Sequence, residues 1–224
     1  MRISKSGHWV CANIVLLVVL VVVLSASHVS ANQDEHSSIN PPHAAQAALD
    51  AFAESLEALS ASFEQSTQDA SGYVIDRLDG VFYFQAPNRF RWAYSEPVPE
   101  IIVGDGERLW HYDPSLEQAT VRAQPSAAES PILALTNPSL MAENYSIMPG
   151  EQSDTVTFLP KASDAPIKEA RVRMEGGRPV TVEWMDNFGQ VTQIVFSGMV
   201  INPSLDQALF QFRPPAGVDV LEGL

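Results

Sequence analysis

The chain has 224 residues, 46% of them hydrophobic and 8% aromatic, with 13 basic and 27 acidic side chains and one cysteine. That length supports one domain with a core of its own. A formal charge of −14 argues against a surface for nucleic acid or anionic lipid, since such a field repels phosphate. A single cysteine excludes an internal disulfide.

The N-terminus is a targeting segment. Arg2 and Lys5 form a basic start, Ile14 to Leu24 is an unbroken apolar run of 11, and Val29-Ser30-Ala31 supplies small residues before a cut. This is the pattern of a secretory signal peptide, and the run is short of the ~20 residues a membrane span needs. Cleavage after Ala31 also removes Cys11, which precedes the apolar run and so is not placed for lipidation. It leaves 11 basic against 27 acidic residues. The expected organisation is a signal peptide over 1–31, a flexible polar lead-in over 32–42, and one folded domain over 43–224, outside the cytoplasm.

From His43 the pattern becomes helical. Leu49, Phe52, Leu56, Leu59 and Phe63 recur at spacings of three and four, with Asp50, Glu54 and Glu57 between them. The spacing predicts an amphipathic helix over about 43–60, with Pro42 near its first turn. Ser62 to Gln68 alternates as a strand, and Asp69 to Gly72 is a turn. Tyr73 to Gln85 is a long strand with Val74, Leu78, Phe82 and Phe84 on one side. After the Ala86-Pro87-Asn88 turn, Arg89 to Tyr94 puts Phe90, Trp92 and Tyr94 on one face and Arg89 and Arg91 on the other. Ile101 to Val103 leads through Asp105-Gly106, a hairpin signal, into a strand with Trp110 and Tyr112 on one side and Leu109 and His111 on the other. Glu117 to Arg122 is the next strand.

Residues 124–144 break the alternation. Pro125, Pro131 and Pro138 punctuate an apolar stretch with Ile132, Leu133, Leu135, Leu140 and Met141, which predicts two short helices over about 127–136 and 138–143. Strands resume from Tyr145: 155–160, 167–174, 179–185 and 190–201, separated by turn dipeptides such as Gly176-Gly177. A connection over 202–208 with room for a helical turn and a closing edge strand complete the chain. The fold expected is mainly β with an α lid: an incomplete, half-open antiparallel barrel of about 11 strands, covered by one long and two short helices. A sheet that large must curl to limit its edges, and the helices then sit inside it or across its mouth.

The sequence carries little catalytic chemistry. Of the three histidines after residue 31, His36 and His43 lie in or beside the lead-in, and His111 is a strand residue. There is no HExxH, GxSxG, CxxC or glycine-rich phosphate loop, and no histidine or carboxylate cluster with metal-ligand spacing. The expectation is a protein that is not an enzyme and has no cofactor or metal. What remains is the aromatic face. Large aromatics inside a curved sheet, roofed by small apolar helices, make a lidded apolar cavity.

Five stretches resemble a known family, the periplasmic outer-membrane lipoprotein carriers (LolA): ASFEQSTQDASG, PNRFRWAY, IIVGDGERLWHYDPSLEQATV, SPILAL and FQFRPPAGVDV. The resemblance runs from about Leu49 to Val220 and is most specific through DGERLWHYDPSLEQ. It implies a carrier that takes acylated lipoproteins from an inner-membrane ABC transporter, shields their acyl chains across the periplasm, and passes them to an outer-membrane receptor, acting as a monomer. By position, Phe90 and Trp92 match inward aromatics of the third strand, Leu133 and Leu135 match apolar lid residues, and Leu49, Phe52 and Leu56 supply the inner face of the first helix. With Phe82, Phe84 and Trp110 these form the expected acyl-chain site. One position departs: the family's lid-latching arginine before the PN turn is here Ala86. That leaves the latch to another donor or makes it looser. A lipid- or lipoprotein-sensing regulator of like fold is the alternative; such proteins usually carry an extra domain, and the end at Leu224 favours the carrier.

Overall fold

The computed structural model describes residues 41–95, 97–124 and 142–223, with side chains from Ala44 onward. The elements are α1 (Pro41–Glu54), β1 (Ala58–Gln68), β2 (Val74–Gln85), β3 (Arg89–Tyr94), β4 (Ile101–Gly104), β5 (Arg108–Asp113), β6 (Gln118–Ala123), β7 (Tyr145–Pro149), β8 (Thr155–Pro160), β9 (Ile167–Glu175), β10 (Arg178–Asp186), β11 (Val191–Ile201) and β12 (Asp219–Glu222). A short 3-10 helix, Gln207–Phe210, precedes β12. The strands form one open sheet of 12 in the order β12-β6-β5-β4-β3-β2-β1-β11-β10-β9-β8-β7. Every pairing is antiparallel except β12 with β6. The mainly β, half-open architecture stands as read from the sequence, with one more strand than expected. Of the helices expected over 127–136 and 138–143, the first and residues 138–141 of the second lie outside the described residues; the chain resumes at Ala142 with a helical turn over 142–144.

The first helix ends earlier than its spacing suggests. It stops at Glu54, not near residue 60. Leu56 falls in the turn, and Leu59 and Phe63 belong to β1. The reason is tertiary. Asn202 accepts from the Glu57 and Ala58 backbone N–H groups at 2.8 and 3.0 Å and donates from its side-chain nitrogen to the Ser55 carbonyl at 2.9 Å. Its own N–H donates to the Ala58 carbonyl at 2.7 Å. One side chain thus satisfies backbone groups that a longer helix would have paired internally. Asn202 has φ of 51°, in the left-handed region that asparagine tolerates.

A bulge hides inside β11. Ser60 pairs with Val200, and Ser62 with Ser197, so two residues of β11 oppose Ala61. Gly198, at φ 59°, sits in the bulge, where left-handed backbone suits glycine. The extra residue reverses the alternation. Ile194 and Phe196 point inward before it, and Met199 and Ile201 pack against the same core after it.

The two faces of the sheet are covered differently. α1 packs against β7, β8, β9 and β10, and its Leu49 and Phe52 join a core cluster that spans β1–β5 and β8–β11. We call this face the inner one. On the outer face, the segment between β11 and β12 crosses β3 to β5. Phe212 packs on Trp110 and Tyr112 with ring centroids at 5.4 and 5.3 Å, and Phe210 is buried. Val103 and Ala119, both fully buried, face this segment's side of the sheet.

Asn202→Ala should lower unfolding stability by about 1–2 kcal/mol, since Asn202 is itself solvent-exposed and water replaces part of what is lost. Chemical denaturation of the two proteins side by side measures this.

Candidate functional site: the aromatic inner face

Strand register sorts the inner face into rows. Leu59, Phe84, Phe90, Gly104 and Leu109 lie side by side across β1 to β5. The next row is Ala61, Phe82, Trp92, Ile102 and His111. The third holds Phe63, Gly80 and Tyr94. Beyond it come Gln65 with Leu78, then Thr67 with Asp76. The face therefore grades along the strand axis from apolar to polar.

The apolar rows are packed through their rings. Phe82 and Trp92, directly opposite each other, have centroids 4.2 Å apart. Phe63 meets Trp92 at 4.8 Å and Tyr94 at 5.1 Å, edge to face in both cases, a favoured aromatic geometry. Phe196 from β11 reaches Trp92 at 6.4 Å. Gly80 makes the Phe63–Tyr94 contact possible. A Cβ there would lie 2.9 Å from the Phe63 ring and 2.2 Å from the Ala93 carbonyl, so the ring crosses bare backbone. Phe90 lies over Gly104 in the same way, its ring 2.4 Å from where a Cβ would be.

The polar groups of this face are held by paired side chains. His111 Nε2 lies 2.9 Å from Glu100 Oε2, a buried carboxylate, so the histidine ring has a partner the sequence could not name. Thr67 and Thr192 share a hydrogen bond at 3.3 Å. Burial, and then the nearby Glu100 charge, raise the Asp76 carboxyl above its ordinary range. Among the described residues, no group of three His, Cys, Asp or Glu side chains could hold a metal ion.

Seven of the ten site residues expected from the sequence come together here: Leu49, Phe52, Leu56, Phe82, Phe84, Phe90 and Trp92 all belong to the inner cluster. Trp110 does not. Its cross-strand partner is Val103, not Ile102, which puts it on the outer face against Phe212. Counting along one strand showed that Leu109 and Trp110 face opposite ways but not which of them faces in. Leu133 and Leu135 lie outside the described residues. Sequence reasoning missed the contribution of β8 to β11, where Val156, Phe158, Ala170, Val172, Met174, Val182, Trp184, Ile194 and Phe196 complete the cluster. Their alternation within each strand was the available signal, and Ile167 joins them from the irregular start of β9.

Arg89 and Arg91 face outward, as their alternation with Phe90 and Trp92 requires. Arg89 donates to the Gln207 side chain and stands over the Phe210 ring at 5.5 Å. Arg91 donates to the Leu209 carbonyl at 3.4 Å, and burial lowers its guanidinium pKa. Both are committed to the C-terminal segment. Ala86, packed at the edge of the inner cluster, donates its backbone N–H to the Glu57 carbonyl at 2.8 Å.

The profile of the family described as "Outer membrane lipoprotein carrier protein LolA" matches residues 54–213. The chain belongs to that family. An outer-membrane lipoprotein carrier protein of Methylococcus capsulatus is 36% identical over 184 residues, covering 79% of this chain and 87% of the relative. One from Methylobacillus flagellatus is 37% identical over 177 residues, covering 77% and 86%. Among solved structures, an uncharacterized conserved protein from Thermus thermophilus superposes with a TM-score of 0.50 at 14% identity, over 80% of this chain and 99% of that one. The last likeness is one of fold alone.

Asp76→Asn should stabilise the protein at neutral pH. An acid whose pKa is raised by folding favours the fold below its unfolded pKa and loses that contribution as pH rises through the folded value. The gain in melting temperature should therefore be present at pH 7 and vanish at about pH 3.

Proposed function

We propose that this LolA-family chain is a periplasmic carrier that holds the acyl chains of lipoproteins against its inner face. In this reading it receives them from an inner-membrane ABC transporter, delivers them to an outer-membrane receptor, and works as a monomer without catalysis. The observation that supports it most directly is the composition of the inner face: rows of Phe, Trp, Leu and Ile with a polar fringe at one end only. An acyl chain of about sixteen carbons left in water costs on the order of 12 kcal/mol, at about 0.8 kcal/mol per CH₂. A face of this kind removes most of that cost. The energy for loading then comes from the transporter, and the carrier's task is to bind firmly enough to cross and loosely enough to release.

Residues 125–141 are the lid in this reading. In sequence they connect β6 to β7, the second and the last strands of the sheet order. Leu133 and Leu135 are its apolar residues in this proposal. With Ala86 at the position of the family's latch, and Arg89 and Arg91 engaged on the outer face, the lid lacks an arginine clamp from the second turn. In this reading the latch is looser or comes from another donor, which suits easy release.

Two experiments address this. Protein secreted to the periplasm should co-purify with acylated lipoprotein, and Phe90→Glu should abolish this by placing a charge in the apolar lining. Val195→Glu, on the exposed outer side of β11, should not, and circular dichroism establishes that both variants are folded. Equal lipoprotein on the wild type and a folded Phe90→Glu protein refutes the site. Separately, Arg89→Ala and Arg91→Ala should each lower stability by about 1 kcal/mol through the C-terminal segment while leaving the rate of lipoprotein release unchanged. Faster release from either variant would make that arginine the latch.

A further inference from the structure

Among the described residues, two buried side-chain N–H donors of the inner face have no hydrogen-bond partner: Trp92 Nε1 and Gln65 Nε2. Trp92 is 2% exposed and Gln65 3%. They flank the Phe63–Tyr94 row of the inner face. The Gln65 side-chain oxygen accepts from the Tyr94 hydroxyl at 3.3 Å, which leaves its NH₂ free. Tyr94 is two residues along β3 from Trp92, and the Phe63 ring touches both. Buried donors in folded proteins nearly always have acceptors, because desolvating an N–H without a partner is costly. Two such donors, one on either side of the Phe63–Tyr94 row, are a feature that apolar residues of the same shape would have avoided.

We propose that Trp92 Nε1 and Gln65 Nε2 form a polar subsite that binds the ester carbonyls at the head of the cargo's fatty acids. This rests on the carrier reading above. An acyl tail offers no hydrogen-bonding group along its length. The carbonyl where it is esterified is an acceptor with no donor of its own, so burying it in a purely apolar site would strand it. Carbonyl and indole or amide N–H each remove the other's penalty. The subsite also orients the ligand. Gln65 lies on the side of the aromatic rows nearest Thr67 and Asp76, so the esterified end points to the polar fringe and the tails run over Phe82 and Phe90.

The test uses the mature protein and two fluorescent lipopeptides of equal chain length, one a dipalmitoyl glyceryl ester and the other its dialkyl ether analogue, which lacks both carbonyls. Wild type should bind the ester about tenfold more tightly than the ether, the return expected from one or two hydrogen bonds in a dry site. The double variant Trp92→Phe with Gln65→Leu should bring that ratio to about one. If the double variant does not fold, Trp92→Phe alone, which keeps the ring and loses only the N–H, should reduce the ratio severalfold. Equal binding of ester and ether by wild type, or a ratio that survives the substitutions, overturns the subsite while leaving the carrier intact. Binding of neither lipopeptide by wild type overturns the carrier reading itself, and the subsite with it.

Discussion

Register between β1, β2 and β3 is the constraint on which the molecule depends. Phe63, Gly80 and Tyr94 fall in one row only because Phe63 pairs with Gly80 and Gly80 with Tyr94. A slip of one residue would turn every ring to the opposite face. Gly80 then becomes more than a break in a strand. It is the gap through which rings on non-adjacent strands meet, and a side chain there would collide with the Ala93 carbonyl as well as the Phe63 ring. The aromatic patch is thus fixed by backbone pairing first and by ring packing second.

Much of this was legible from alternation. The strands β2, β3 and β8 to β11 were visible because period-two patterning survives wherever one face is buried and the other wet. Two features defeated it. The boundary of α1 is set by Asn202, 145 residues from Glu57, and no local pattern reports so distant a contact. Leu59 and Phe63, four residues apart, fit a helical period and a strand equally well over that short interval. The face taken by Trp110 depends on which neighbour it pairs with, and alternation within a strand leaves that sign undetermined. The outer face of β4 and β5 also carries apolar side chains, Val103, Trp110 and Tyr112, because the C-terminal segment covers it, so a large aromatic there has a home on either side.

The same covering explains the fate of the two arginines beside the aromatic strand. A guanidinium next to an apolar site invites a functional role. Here both are used to hold Gln207, Leu209 and Phe210 in place. The half of the molecule proposed to touch fatty acid and the half that fastens the chain's last residues therefore share β3 but use opposite sides of it. The inner side grades from ring-rich to polar, with the Thr67–Thr192 contact at the fringe. That gives a ligand with a greasy end and a polar end one favourable direction.

The parallel pairing of β12 with β6 has a consequence for how the protein comes into being. All other neighbours in the sheet run antiparallel, and β6 receives its second partner only from residues 219–222. A chain that emerges from its N-terminus leaves β6 with one border bare until nearly the last residues arrive. During that interval an unpaired strand border coexists with an unfinished oily interior, the combination that most invites clumping. Completion of the sheet therefore waits on the end of synthesis, and the last four paired residues cap an edge that all the others leave open.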